Sequence, residues 1–303
     1  MRERLQKTNM DFTQRSFIIG SEWLYYKLYT GHKTSDILLT EVLRPLVGEL
    51  KNNNLIKEWF FIRYADPEHH LRIRFKIQDT KKLGTVVDKI YKSISPWVTN
   101  ERVWKTQIDT YNREIERYGP DTIQLSERIF YYDSEAIINF LNLIEGDEGE
   151  EIRWLFGLQL INHFLDNFKF SFEDKMRLLE ELKIAFGREF NMGRNLKSQL
   201  DKKYRFHTNK IASFLEIGEM KNPELLPILE ILKQRDEGIE KIAKSISQKY
   251  KEKNESLFLK NFLPSHIHMS MNRLFKSKNR LNELVCYDFL YRYYRSANAK
   301  LRK

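Results

Sequence analysis

Between residues 55 and 77 the apolar positions follow the period of a strand. "LIKEWFFIRY" (55–64) is β-branched and aromatic, and "LRIRFKI" (71–77) sets Leu71, Ile73 and Phe75 against charged neighbours. "ADPEHH" turns the chain between them, which predicts an antiparallel hairpin. Arg72 and Arg74, two apart, then point to the face opposite the apolar one. "RVWKTQIDTY" (102–111) alternates again, with Val103, Lys105, Gln107 and Asp109 on one face. Upstream, "RSFII" (15–19) is a short apolar stretch ending at Gly20, and "EWLYYKLYTG" (22–31) is dense in aromatics. Helical spacing interrupts this region twice. Residues 35–52 carry Ile37, Leu38, Val42, Leu43 and Leu46 on one stripe behind a Ser35 N-cap, and a second helix falls near 80–94.

Beyond about residue 120 the period lengthens to about 3.6. Long amphipathic patterns run over 150–168, 171–190 and 222–250, and a final pair covers 264–277 and 281–299. Ser171 with Asp174, and Asn222 with Glu224, suit helix starts, and Pro227 sits one turn into the last of these patterns, where it is tolerable. No internal repeat and no linker rich in Pro, Gly or Ser divides the chain. These patterns predict an α+β fold in one unit, strand-rich over 15–115 and helical over 120–303, with the N-terminal sheet packed against the C-terminal helices.

Composition fits a soluble globular protein, with 31% charged and 41% hydrophobic residues. No apolar run approaches the ~20 residues that span a bilayer, and "MRERLQKTNMDF" lacks the apolar core of a signal peptide. Cys286 is the only cysteine, which excludes an intrachain disulfide and a multi-cysteine metal site. A cytoplasmic location is expected. The net charge of +10 is concentrated at one end. Residues 241–303 hold 15 basic and four acidic side chains (+11), whereas the preceding 240 hold 37 and 38 (−1). Such a region suits nucleic acid or an acidic peptide, or is simply a solvated lysine-rich surface.

Three stretches carry candidate chemistry. In "FFIRYADPEHHLRIRF", Arg63 on one strand and Arg72 and Arg74 on the next are expected to crowd three guanidinium groups into one patch. Such a patch binds carboxylates through paired hydrogen bonds, or is a solvent-exposed sheet face. In "DTYNREIERYG" (109–119), Arg113 and Arg117 share a face if the segment is helical, with Glu114 and Glu116 available for salt bridges. In "LPSHIHMSMNRLF" (263–275), His268 and Asn272 share a helical face and Arg273 follows, while His266 and His268 splay apart. A histidine near arginines suits proton transfer better than metal binding, since no carboxylate or third histidine is near in sequence. There is no GxGxxG, phosphate-binding loop or GxSxG, and Cys286 sits in an apolar helical pattern suited to the core.

Taken in order, "EWLYYKLYTG", "WFFIRYADPEHHLRIRF", "TYNREIERYG", "ERIFYYDSEA" and "HIHMSMNRLF" resemble the C-terminal glutamate-elimination domain of class I lantibiotic dehydratases. Stand-alone versions are known as thiopeptide-type bacteriocin biosynthesis proteins. The resemblance runs from about residue 16 to the end. It implies that glutamate, placed on Ser or Thr of a ribosomal precursor peptide, is eliminated to leave dehydroalanine or dehydrobutyrine, with no metal or redox cofactor. The chain is too short for the domain that transfers glutamate from glutamyl-tRNA, so a separate glutamylating partner is implied, and a homodimer is compatible. By motif position the elimination residues fall on Arg72, Arg74, Arg113 and His268. His268 is assigned to proton transfer and the arginines to anion recognition and charge stabilisation, with the group that abstracts the Cα proton left open. Arg63, Arg117, His70, Asn272 and Arg273, in the same stretches, are expected to contact substrate. Two other functions stay open: the pyridine-forming [4+2] cyclisation of related thiopeptide enzymes, whose arginine set is not kept in full, and a non-catalytic subunit that binds the peptide or a tRNA complex.

Overall fold

A computed structural model describes residues 13–216, 223–252 and 256–301. The helix start expected at Asn222 and the segment "MRERLQKTNMDF" lie outside the described residues. The fold is α+β as the periodicities predict. Its strands are β1 (Ser16–Phe17), β2 (Trp23–Tyr29), β3 (Ile56–Ala65), β4 (His69–Ile77), β5 (Lys105–Asp109) and β6 (Tyr111–Asn112). All pairing among them is antiparallel: β3-β4-β2-β5 make one sheet, and β1 and β6 a separate small one.

One face of the main sheet is continuous core. Leu24, Tyr26 and Leu28 of β2, Trp59 and Phe61 of β3, and Leu71, Ile73 and Phe75 of β4 alternate onto it and are buried. They share that core with the buried stripes of α2 (Arg44–Asn52) and α3 (Leu83–Thr99), whereas α1 (His32–Ile37) buries only Ser35. A π-helical stretch, Leu38–Leu43, joins α1 to α2. Several boundaries differ from the spacing-based ones. The hairpin turn is shorter than "ADPEHH", because His69 and His70 already pair with Ala65 and Tyr64. The helix expected from Ser35 begins at His32; Ser35 is buried inside it, where its hydroxyl donates to the His32 carbonyl instead of capping. Val103 precedes β5 and is buried, so only Lys105, Gln107 and Asp109 share the expected strand face.

The helical half comprises α4 (Ile115–Tyr118), α5 (Ile123–Leu141), α6 (Gly146–Asn167), α7 (Phe172–Glu189), α8 (Arg194–Leu215), α9 (Leu226–Glu252), α10 (Ser256–Leu274) and α11 (Asn279–Leu301). Ser171 caps α7 as predicted, its hydroxyl accepting from the Asp174 amide at 3.2 Å. Cys286 is fully buried, and burial pushes its thiol well above the ordinary range, which fits core rather than nucleophile. Gly238 of α9 lies so near Tyr132 of α5 that a Cβ would fall 2.3 Å from the ring, so the α5–α9 crossing admits no side chain there.

The sheet and the helices meet along the outer edge of β3. Phe61 N–H donates to Ser134 of α5, and the Asn272 amide of α10 both accepts from Arg63 N–H and donates to Arg63 C=O, each at 2.9 Å. The edge that would otherwise expose unpaired backbone is thereby closed. Asn272→Ala strands both Arg63 backbone groups and should cost about 1–3 kcal/mol, read as a lower denaturant midpoint. An unchanged midpoint would mean that water replaces the amide.

Candidate functional site

The strand register builds the sheet's second face as a grid. One row is Phe60, Arg74, Tyr25 and Asp109; the next is Ile62, Arg72, Lys27 and Gln107; the third is Tyr64, His70, Tyr29 and Lys105. In these three rows four cations face one carboxylate, and Asp109 is taken by Lys27. Arg72 stacks on the Tyr64 ring at 3.4 Å and donates from Nε to His70 Nε2 at 3.0 Å. His70 in turn donates from Nδ1 to the Glu68 carbonyl. Both its nitrogens are engaged in the neutral form, and burial, then Arg72, lowers its pKa, so it orients Arg72 and has no lone pair free to act as a base. Arg74 is buried among the rings of Tyr25, Tyr111 and Phe60, with its guanidinium carbon 4.5, 4.8 and 5.2 Å from their centres. Its Nε has no hydrogen-bond partner among the described residues.

Arg63 does not join this patch. It opposes Leu71, hence points to the other face, where Nη2 meets Asp36 at 2.6 Å and Nε donates to the Arg273 carbonyl. The expected trio is a pair, because Arg63 differs from Phe60 and Ile62 by an odd number of strand positions. Arg113 and Arg117 do not share a face either, because Arg113 precedes the single turn of α4. Arg113 is buried in a fork on Glu127, with Nε and Nη2 both at 2.7 Å, and Glu127 also accepts from Tyr111. Arg117 lies at the surface beside Glu114.

Helix α10 presents two adjacent sectors. His268 and Asn272 line a cavity of about 730 Å³ together with His32, Arg63, Tyr64 and His69. His268 Nδ1 donates to Glu283 of α11 at 2.8 Å, and buried Glu283 also accepts from Tyr287 at 2.6 Å. That bond fixes the His268 tautomer and leaves its other nitrogen to accept a proton. Glu283 carries no signal in sequence, since it lies 15 positions from His268 and is matched to it only by the packing of α11. One residue along, Met269 and Arg273 line a small cleft shared with Arg74 and Tyr111. His266 splays away as predicted, into a ring cluster of Tyr118, Phe130 and Phe262. No group of three potential metal ligands occurs among the described residues. Part of the C-terminal charge is locally paired, Lys276, Arg280 and Arg292 meeting Glu150, Glu189 and Asp201.

Residues 23–294 match the family model described as "Lantibiotic biosynthesis dehydratase C-term". The chain belongs to this family. Among curated relatives it is similar to nisin biosynthesis protein NisB of Lactococcus lactis subsp. lactis, 33% identical over 147 residues, covering 46% of this chain and 14% of NisB. It is also similar to subtilin biosynthesis protein SpaB of Bacillus subtilis, 24% identical over 271 residues, covering 87% of this chain and 25% of SpaB. This lantibiotic dehydratase C-terminal chain therefore spans a quarter or less of the length of those relatives. Its fold is that of the tRNA-dependent lantibiotic dehydratase MibB from Microbispora sp. 107891, with a TM-score of 0.72 and 20% identity over 94% of this chain and 29% of MibB. The pyridine synthase TbtD from thiomuracin biosynthesis shares it at TM-score 0.63 and 13% identity, over 91% of this chain and 98% of TbtD. No described helix is long and apolar enough to cross a membrane.

Two stability predictions follow from the buried charges. Removing one partner of the Arg113–Glu127 fork leaves the other charge buried, so Glu127→Ala should cost about 3–5 kcal/mol in chemical denaturation; a loss under about 1 kcal/mol would mean that the fork is solvated. Burial holds His69 down at about 4 and pushes His266 well below its ordinary value. Both are then protonated more readily unfolded than folded, so their contribution is complete above about pH 6.5 and is lost as pH falls toward 4. Tm should decline over that window, and His69→Gln should flatten the decline; identical profiles for variant and wild type would exclude His69 as a source.

Proposed function

We propose that this chain eliminates glutamate from glutamylated Ser or Thr of a ribosomally made precursor peptide, giving dehydroalanine or dehydrobutyrine. The observation that carries the reading is the His268–Glu283 pair facing a large cavity whose wall includes Tyr64, the ring on which Arg72 stacks. Arg72 and Arg74 have no carboxylate partner among the described residues, so both charges are available to an anionic substrate. In this reading His268 takes the Cα proton of the acylated residue. The electron pair forms the Cα–Cβ double bond, the Cβ–O bond breaks, and glutamate leaves as a carboxylate. Arg72 and Arg74 stabilise the developing enolate and carboxylate charge. No electrons are exchanged with an outside acceptor, so the step needs no redox cofactor. Arg113 acts indirectly, because Glu127 holds both it and the Tyr111 ring that covers Arg74. The peptide is supplied, in this reading, by a separate glutamyl-tRNA-dependent protein in the cytoplasm.

Purified chain incubated with a glutamylated precursor peptide should release glutamate and yield a product one water lighter than the unmodified peptide. His268→Ala should stall the reaction at the glutamylated stage, slowing it about 10²–10⁴-fold. Glu283→Gln should lower kcat while leaving peptide binding intact. A dehydroalanine-bearing peptide that instead cyclises and sheds its leader would replace elimination with pyridine formation. Peptide or tRNA binding without either reaction would make the chain an accessory subunit.

A further inference from the structure

Helix α8 carries six basic side chains and a single acid, Asp201. It lies in the part of the chain whose charges balance, outside the basic residues 241–303. Leu200, Ile211 and Phe214 bury one side of it, where it packs on α6 and α11. The opposite side carries Phe206, which at 84% is the most exposed large apolar side chain among the described residues. Its neighbours on the helix surface are the residues three and four away, here Lys202, Lys203, Asn209 and Lys210, all exposed. The ring thus stands in a frame of three ammonium groups. Asp201 is taken by Arg292 of α11, and Glu151 of α6 by Lys210, with His207 beside it. Arg194, Lys197, Lys202, Lys203 and Arg205 have no ion pair among the described residues. Lys197 and Arg188 continue the charge into a depression of about 640 Å³ between the end of α7 and the start of α8. Lys183 also lines it and is paired with Asp288.

An aromatic ring left in water costs free energy, and cations without counter-charges repel one another. A strand of nucleic acid relieves both, since its phosphates meet the cations and an unstacked base covers the ring. An anionic membrane needs an apolar stripe along the helix, whereas Phe206 is the only large apolar side chain that α8 exposes. An acidic polypeptide matches the lysines but has no repeating planar face to offer the ring. Exposed Asn195, Gln199 and Asn209 add hydrogen-bonding groups suited to sugar and phosphate. We propose that α8 is a docking face for single-stranded nucleic acid, with one base lying on Phe206 and the backbone running over Lys202 and Arg205 toward Lys197 and Arg188. Phe206 and Lys197 stand ~13 Å apart along the helix axis, so several phosphates come within reach. The end of α7 links this face to the candidate site, because Glu189 and Phe190 line the large cavity while Arg188 and Asn191 line the basic depression. The inference does not rest on the elimination reading.

Fluorescence polarisation of the whole chain tests this with labelled oligouridylate and oligodeoxythymidylate of about ten nucleotides, and with labelled poly-L-glutamate as the acidic-polypeptide control. The oligonucleotides should bind at low ionic strength and weaken as salt rises. Phe206→Ala should weaken them about tenfold or more while leaving Tm and poly-L-glutamate binding unchanged, and Phe206→Trp should keep the wild-type affinity. Lys202→Gln combined with Lys203→Gln should weaken both kinds of polymer and flatten the salt dependence. Stronger binding of oligouridylate assigns the face to RNA, stronger binding of oligodeoxythymidylate assigns it to DNA, and equal binding assigns it to either strand; all three support the proposal. No oligonucleotide binding at low salt, or binding that Phe206→Ala leaves unchanged, overturns it. Poly-L-glutamate binding that Phe206→Ala weakens as much as oligonucleotide binding also overturns it and gives the face to an acidic protein.

Discussion

The side-chain amide of Asn272 on the edge of β3 is the contact on which the rest of the site depends. Two hydrogen bonds to one residue's backbone fix α10 in both height and rotation beside the sheet. Rotation matters because α10 carries His268 on one sector and Arg273 on the next, and each must reach a different concavity. Arg63 reinforces the joint from the same strand position, bonding Asp36 of α1 and the Arg273 carbonyl of α10. Arg153 of α6 meets the same Asp36 and the Leu274 carbonyl, so α1, α6, α10 and the sheet are joined through the two arginines on one carboxylate.

Against this neutralised frame, the charges that lack partners stand out. A folded protein matches its buried cations with carboxylates, as Arg113 does with Glu127 and Arg235 with Asp133. Arg72 and Arg74 are held by aromatic faces instead, Tyr64 for one and Tyr25, Tyr111 and Phe60 for the other. Ring faces stabilise a guanidinium while leaving its donor edge free for a ligand. Arg113 and Arg74 therefore differ in kind although both are buried arginines from motif stretches: one is held by a carboxylate, the other by aromatic rings alone among the described residues.

The hairpin and its two outward arginines were legible because a strand repeats every two residues and local alternation assigns faces. The pairing of His268 with Asn272 and its separation from His266 were legible for the same local reason, with the helical repeat in place of the strand's. Arg63 was misplaced because the face of a residue across a turn depends on register, which turn length sets: β4 begins at His69 rather than Leu71, so Arg63 opposes Leu71. Arg113 and Arg117 would share a face only inside a helix, and that condition fails because the helix begins at Ile115.

Sequence by itself determined the α+β plan, the order of the motifs, the family and the chemical types gathered in the site, since all of these are written in local spacing and residue identity. Tertiary structure alone decided which cations are satisfied. Glu127 reaches Arg113 across 14 positions, Glu283 reaches His268 across 15, and Asp133 reaches Arg235 across 102. Electrostatic partnership falls off with distance in space and is blind to distance along the chain, so no reading of spacing could have separated the arginines paired with carboxylates from those without such a partner among the described residues.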